Sequence, residues 1–448
     1  MPLPAPLVPL PLDGWRDAET LFAALFGESA AAGSSAFWLD AGPDSAEGWS
    51  ILGAGDPETD PDAVGTTALT GTAVSSPVPF DGGWVGWLDY EHGAAAAGAP
   101  IAASDASPTW IAVSTAIALD HAHRRVWALA AAPDAERWRA RVQHAMTDAA
   151  AAPAPIAPEA STAEARHGVR AYVGLVEECR EAIRRGDAYQ LCLTTRFSAP
   201  RPRDPLAVYR RLRAATPAHH GGYLRIGERH LLSASPEQFL AVADGVASTS
   251  PIKGTRPRHA DAEEDARLAE ELRTDVKERA ENVMIVDLMR NDLSHVGDPA
   301  TLRVDRLWQV ESYPAVHQLV SQVSVRLRDG IRFADLCEAT FPAGSMTGAP
   351  KLSAMTNLHR LEGAARGVYS GCFGHVGLDG RVDLAMVIRS IVVQGEEAYV
   401  GAGGGITWLS RPDAEAAEVA TKARAPLAAL GTELPEEWAA LLLPADSR

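Results

Sequence analysis

The sequence predicts an α+β fold with antiparallel sheets, on three observations. Residues 224–233 and 239–248 read as hairpins, the second turning at Asp244-Gly245, a dipeptide suited to a two-residue turn. Helical patterns stand between groups of strands and do not follow every strand in turn. A βαβ protein would show that one-by-one alternation.

The elements follow in chain order. Up to about Met146 the chain is rich in Ala and Gly. Short apolar runs at 36–39, 84–88 and 110–113, set between Gly, Pro and Asp clusters, suggest strands there. Residues 149–161 read AAAAPAPIAPEAS, a linker or an exposed crossing with little to bury. Val173, Leu175, Val176 and Ile183 have helical spacing across 172–185, and 189–197 looks extended. One long charged helix is expected from about 262 to 288, with Leu268, Leu272 and Val276 as a stripe at spacing four. Residues 370–406 are strand-rich, with turns at Asp379-Gly380 and Gln394-Gly395. A last helix should start at Pro412, since proline suits the first helical position.

Composition narrows the function. In 448 residues, Lys and Arg number 41 against 58 Asp and Glu, a formal net charge of −17. That balance argues against nucleic acid or an anionic membrane as partner, because both need a basic face. The four cysteines, Cys179, Cys192, Cys337 and Cys372, form no C-x-x-C pair, and a reduced, cytoplasmic compartment fits best. The N-terminus is apolar, but its first basic residue is Arg16 and five prolines interrupt it, unlike a signal peptide. No apolar run reaches the length of about 18 residues that would suggest a transmembrane helix.

Several residues could carry chemistry. Glu278 and Glu281 stand three apart on one expected helix, and Glu415 and Glu418 on another, so each pair shares a face. Four carboxylates brought together would need a cation, and all-oxygen ligands suit Mg²⁺. On spacing alone, solvated acidic faces are the commoner explanation, because such pairs are frequent on helices. Residues 401–405, GAGGG, could be a turn or a backbone cradle for a carboxylate. Arg389 lies in the apolar run MVIRSIVV and must face an anion, whether a salt-bridge partner or a substrate. Lys253, in PIKGTRPR, could be a nucleophile or an exposed loop lysine. Glu237, after an expected strand, could be a general acid or an ion-pair partner.

Taken in order, the segments SASPEQFL, SPIKGTRPR, KERAENVMIVDLMRNDL, FPAGSMTGAPK, YSGCFGHVG, MVIRS, GAGGGI and a final E-x-x-E-x-x-x-K resemble the chorismate-utilising enzymes. Weaker matches, GDAYQLCLTTRF and FDGGWVGWLDYE, extend the resemblance over most of the chain. That family includes anthranilate synthase component I, aminodeoxychorismate synthase component I, isochorismate synthase and salicylate synthase. The resemblance implies antiparallel sheets packed face to face and flanked by helices. It implies an N-terminal β-rich region over 1–148, a crossing at 149–163, a chorismate-binding region over 164–430 and a tail over 431–448.

The resemblance also implies a site. Mg²⁺ would be held by Glu281 and Glu418, with Glu278 and Glu415 reached through water. Arg389 and Tyr369, with backbone at Gly403, Gly404 and Gly405, match residues that hold the enolpyruvyl carboxylate of chorismate. Gly254, Thr255 and Thr347 match further substrate contacts, and His317 a histidine near the departing hydroxyl. Asp287, Arg290 and Asn291 resemble a buried network that supports the metal helix. Gln190 stands where water-using members carry a lysine base, which points to ammonia as nucleophile. Lys253 stands where anthranilate synthases usually carry alanine. The members with lysine there aminate C4 of chorismate, with Glu237 as acid and then base. Amination at C2 with loss of pyruvate is the alternative. Leu39-Asp40-Ala41 replaces the Leu-Glu-Ser of tryptophan-regulated members, so strong tryptophan inhibition is not expected. A separate glutamine amidotransferase subunit is the expected ammonia source. Leu409, Arg411, His375 and Ser294-His295 depart from the family pattern, away from the expected metal and covalent positions.

Overall fold

The computed structural model of the chain describes residues 4–27, 35–43, 45–60, 62–70, 76–103, 109–152, 154–155, 157–313 and 316–443. Residues 153 and 156 of the expected crossing and 444–448 of the expected tail lie outside them.

The architecture is α+β. Among the described residues, twenty strands form one continuous hydrogen-bonded sheet, and the ladders paired within it are antiparallel. Strands early in the chain pair with strands late in it. Ser35–Asp40 pairs with His220–Ile226, and Gly83–Leu88 pairs with Cys372–Gly377. Both expected hairpins form, as His220–Ile226 with Arg229–Ser235 and Gln238–Ala243 with Val246–Thr249. Asp244 and Gly245 turn the second with φ of 51° and 71°, the left-handed pair that matches strand twist.

Alternation along the strands builds two cores. In Trp110–Asp120, Ile117 and Leu119 face one core while Ala116 and Ala118 face the other. In Gln190–Pro200, Leu191, Leu193 and Phe197 face the first and Cys192 the second. Helices Ala18–Phe26, Ala135–Asp148, Val169–Arg185, Pro205–Ala215 and Pro412–Leu430 cover the first core. Helix Val276–Ser294 packs Ile285, Val286, Met289 and Leu293 into the second. No helix among the described residues is long and apolar enough to cross a membrane.

Three local expectations need correction. The long helix over 262–288 is two helices, Ala262–Thr274 and Val276–Ser294. Asp275 ends the first with extended backbone, and its side chain accepts the Glu278 N–H at 3.0 Å, capping the second. The spacing-four stripe therefore stops at Leu272, and Val276 is exposed. Asp287, Arg290 and Asn291 are on the exposed side of the second helix, with Arg290 paired to Asp287 at 3.0 Å. The buried polar groups of that helix are Asn282, which accepts from Ser321 Oγ at 2.6 Å, and Asp292, which accepts from Lys351 Nζ at 2.7 Å. Finally, the glycines at 401–405 belong to strand Glu397–Ile406, with Gly403, Gly404 and Gly405 opposite Thr194, Leu193 and Cys192.

A buried ion pair braces the sheet where the later strands converge. Arg366 donates to Glu362 at 2.8 and 2.7 Å, to Met346 O at 2.7 Å and to Cys192 O at 2.8 Å. Glu362 also accepts from Thr194 N and Oγ1, both at 2.9 Å. In the N-terminal region Asp40 is buried and paired with Arg213 at 2.5 Å, and Tyr209 donates to it at 3.1 Å.

Candidate active site

A cavity of about 530 Å³ opens between the glycine-rich strand, strand Ile252–Pro257, helix Val276–Ser294 and helix Pro412–Leu430. Its walls carry most of the residues singled out from the sequence: Glu237, Lys253, Gly254, Thr255, Tyr369, Arg389, Gly403, Gly404, Gly405 and all four glutamates.

The glycines are there for space. A Cβ on Gly404 would stand 3.1 Å from the Glu415 carboxylate, and one on Gly401 would overlap the Tyr369 ring at 2.1 Å. Bare backbone thus brings the acidic helix and the phenol close to the cavity. Gly254 has φ +79° and presses against Leu272 and Glu278, where a side chain would be both strained and crowded.

One end of the cavity is acidic. Glu278, Glu281, Glu415 and Glu418 line it from two helices, each pair on one face as the spacing of three required. Burial, then the charges of Glu281 and Asp275, push the Glu278 carboxyl up. Burial and Glu418 push Glu415 up against a hydrogen bond from Ser410. Burial works to raise Glu418 too, but Lys422, Lys253 and Lys277 outweigh it and hold that carboxyl low. The donor set, hard oxygens that repel one another, fits a divalent cation such as Mg²⁺. The four are not gathered around a point: among the described residues no three His, Cys, Asp or Glu side chains are placed to hold a metal.

Other residues of the lining are suited to proton transfer and to an anion. Glu237 is buried, and burial pushes its carboxyl up to about 7 against the charge of Lys253 and a hydrogen bond from Ser345 Oγ at 3.3 Å. Lys253 is half-buried, lines the cavity, and among the described residues makes no ion pair. Arg389 has φ 52°, a left-handed backbone that costs a non-glycine residue about 1–3 kcal/mol. Its guanidinium borders the cavity without an ion-pair partner among the described residues, although burial works against its charge. An anionic ligand would satisfy it.

Three expected residues are not in the cavity wall. His317 is on strand Val316–Arg326, and its neighbour Gln318 lines the cavity, so alternation turns the imidazole to the other face. There its Nε2 meets Asp265 at 3.0 Å and its Nδ1 meets Ser312 Oγ at 2.8 Å. Thr347 is fully buried and donates to Ala343 O at 3.2 Å. Gln190 stands just behind the wall, where a Cβ on Gly405 would lie 2.4 Å from its amide nitrogen. Both of its amide atoms are buried, with no hydrogen-bond partner among the described residues.

Among the polar lining residues, sequence reading assigned no role to Ser345, Gln318, Lys277 and Thr421, nor to Lys422 beyond its place at the end of the E-x-x-E-x-x-x-K motif. The two lysines had a signal, since Lys277 precedes Glu281 by four and Lys422 follows Glu418 by four, spacings that pair charges on a helix. Ser345 and Gln318 had none, because strand and turn registers bring them in.

The chain matches known proteins along most of its length. The family described as chorismate binding enzymes matches residues 53–428. An aminodeoxychorismate synthase of Streptomyces pristinaespiralis is 42% identical over 380 residues, 80% of this chain and 52% of the relative. Anthranilate synthase component 1 of Streptomyces coelicolor is 40% identical over 374 residues, 79% of this chain and 73% of the relative. The chain thus spans about half the length of the Streptomyces aminodeoxychorismate synthases it matches. The crystal structure of anthranilate synthase component I from Streptococcus pneumoniae superposes with TM-score 0.72 at 27% identity, over 95% of this chain and 93% of that one. The menaquinone-specific isochorismate synthase of Escherichia coli shares the fold alone, with TM-score 0.70 at 17% identity over 96% and 95% of the two chains. With its fold and more than four-fifths of its length in agreement, the chain belongs to the chorismate binding enzymes.

Proposed function

We propose that this chain is the chorismate-aminating component of an aminodeoxychorismate synthase. It would convert chorismate and ammonia to 4-amino-4-deoxychorismate with Mg²⁺, on the way to 4-aminobenzoate and folate. One observation carries the reading: Lys253, an amine that makes no ion pair among the described residues, and Glu237, whose carboxyl burial pushes up to about 7, line the same cavity. A nucleophile and a proton donor with that titration suit a displacement split into two steps.

In this mechanism Arg389 binds a carboxylate of chorismate and Tyr369 flanks it. Glu281 and Glu418 would hold Mg²⁺, with Glu278 and Glu415 behind water. The ion would neutralise the ring carboxylate. Lys253, once deprotonated, attacks C2 as the two conjugated ring double bonds shift toward C4 and the C4–O bond breaks. Glu237 gives its proton to the hydroxyl, which leaves as water. Ammonia then attacks C4, the two double bonds shift back, and the C2–N bond to Lys253 breaks. Glu237 takes the proton lost by the new ammonium. His317 would enter only if its imidazole left Asp265.

A separate glutamine amidotransferase subunit is the proposed ammonia source. All four cysteines of this chain are free and buried, and burial pushes their thiols up, so none is prepared as an amidase nucleophile. A cytoplasmic location goes with this reading. Amination at C2, giving anthranilate, is the second reading, supported by the 40% identity to an anthranilate synthase component 1.

Product analysis separates the two. The purified chain is incubated with chorismate, MgCl₂ and ammonium at alkaline pH, with and without aminodeoxychorismate lyase. A 4-amino adduct that the lyase turns into 4-aminobenzoate is the expected result. Fluorescent anthranilate formed without the lyase would establish the second reading, and no Mg²⁺-dependent turnover would refute both.

A further inference from the structure

The acidic end of the cavity is held apart by bases. Lys422 Nζ pairs with Glu418 at 2.7 Å, Lys277 Nζ with Glu281 at 3.7 Å, and Arg256 Nη1 approaches Glu278 at 3.8 Å. These three are not held equally. Lys422 also donates to Gly403 O at 2.8 Å. Arg256 is tied to Glu271 and Asp275, both at 3.1 Å, and to Thr255 O. Lys277 has one long contact, its side chain is 60% exposed, and it leaves from the first turn of the same helix as Glu278 and Glu281.

We propose that Lys277 is a resident counter-ion of the carboxylate cluster, displaced when a divalent cation binds, and that it thereby sets the cation affinity of the free protein. The proposal rests on the reading of the four glutamates as cation ligands.

The physics is a competition of charges. Lys277 lines the same cavity as all four carboxylates and pairs with Glu281, so its positive charge competes with a cation for the same oxygens. A cation entering the cluster meets that positive charge before it meets a full set of oxygens. Lys422 and Arg256 cannot yield without breaking further bonds, whereas the flexible stem of Lys277 can swing to solvent and lose one weak pair. An anion bound between Arg389 and Lys253 would add negative charge to the same cavity and tip the balance back toward the cation.

Calorimetric titration of the full chain with MgCl₂, in the absence of any substrate, tests this. Lys277→Met should bind Mg²⁺ about three- to tenfold more tightly than the natural chain, the effect of removing one charge several ångströms from a dication in a largely aqueous setting. Lys277→Arg keeps the charge and should stay near the natural affinity. The gap should shrink as NaCl is raised, because exposed charges are screened. Lys277 is exposed, so both variants should keep the circular dichroism spectrum of the parent. Equal or weaker Mg²⁺ binding by Lys277→Met would overturn the counter-ion role. Absence of Mg²⁺ binding in parent and variants alike would instead overturn the cation-site reading.

Discussion

Glu237→Gln should leave the protein inactive and yet make it more stable at alkaline pH. Glu237 is 9% exposed, and burial raises its carboxyl from 4.5 to about 7. A raised carboxyl means that the folded state prefers the protonated form. Below about pH 4.5 folded and unfolded chains both hold this proton, and there is no penalty. Between 4.5 and 7 the unfolded chain releases the proton while the folded chain keeps it, so folding stability falls as pH rises. Above 7 the loss levels off at about 3 kcal/mol, at about 1.4 kcal/mol for each tenfold change in proton affinity. Glutamine has the shape of the protonated acid, can accept the Ser345 hydroxyl, and carries no charge at any pH. Urea unfolding followed by the fluorescence of the 11 tryptophans measures the difference. Near pH 5 the two proteins should differ little, and by pH 8 the variant should lead by about 3 kcal/mol. Its turnover should fall by about 10²–10⁴-fold, the contribution of a general acid. A stability gap that does not change between these pH values would refute a buried, proton-holding Glu237.

Other perturbations test neighbouring parts of the site. Lys253→Ala should give slow amination at C4 or a shift toward amination at C2, read by mass spectrometry of the products; unchanged turnover would sink the nucleophile assignment. Ser345→Ala removes the hydrogen bond that favours ionised Glu237, so the alkaline fall in kcat/KM should move to higher pH, and Ser345→Thr should restore it. An unmoved profile would show that the 3.3 Å contact does not tune the acid. Arg366→Met leaves Glu362 charged and unpaired among buried groups, with Met346 O and Cys192 O losing their donor. That should cost about 3–5 kcal/mol in urea unfolding, and a loss under about 1 kcal/mol would mean that the pair contributes little.

Much of this protein is legible one element at a time. Asp244-Gly245 announces its turn because few residues tolerate two successive left-handed conformations. Pro412 opens the last helix, and a spacing of three puts Glu415 beside Glu418 whatever surrounds them. The order of motifs was enough to place the chain in its family. Folding alone decided which face each residue meets. Asp275 broke a continuous helical pattern because its side chain serves the next helix better as a cap. His317 turned toward Asp265 while Gln318 took the cavity wall, a choice of strand register that no local pattern encodes. GAGGG became a strand because residues 192–196, more than two hundred positions earlier, offered it a partner. Sequence by itself determined what rests on the periodicity of a single segment and on the chemistry of its residues. The tertiary structure decided whatever depends on two segments meeting: the pairing of Ser35–Asp40 with His220–Ile226, the Arg366–Glu362 brace, and the bases set among the four glutamates. Backbone preferences act within a few residues, whereas burial and charge act across space on whatever the fold brings together.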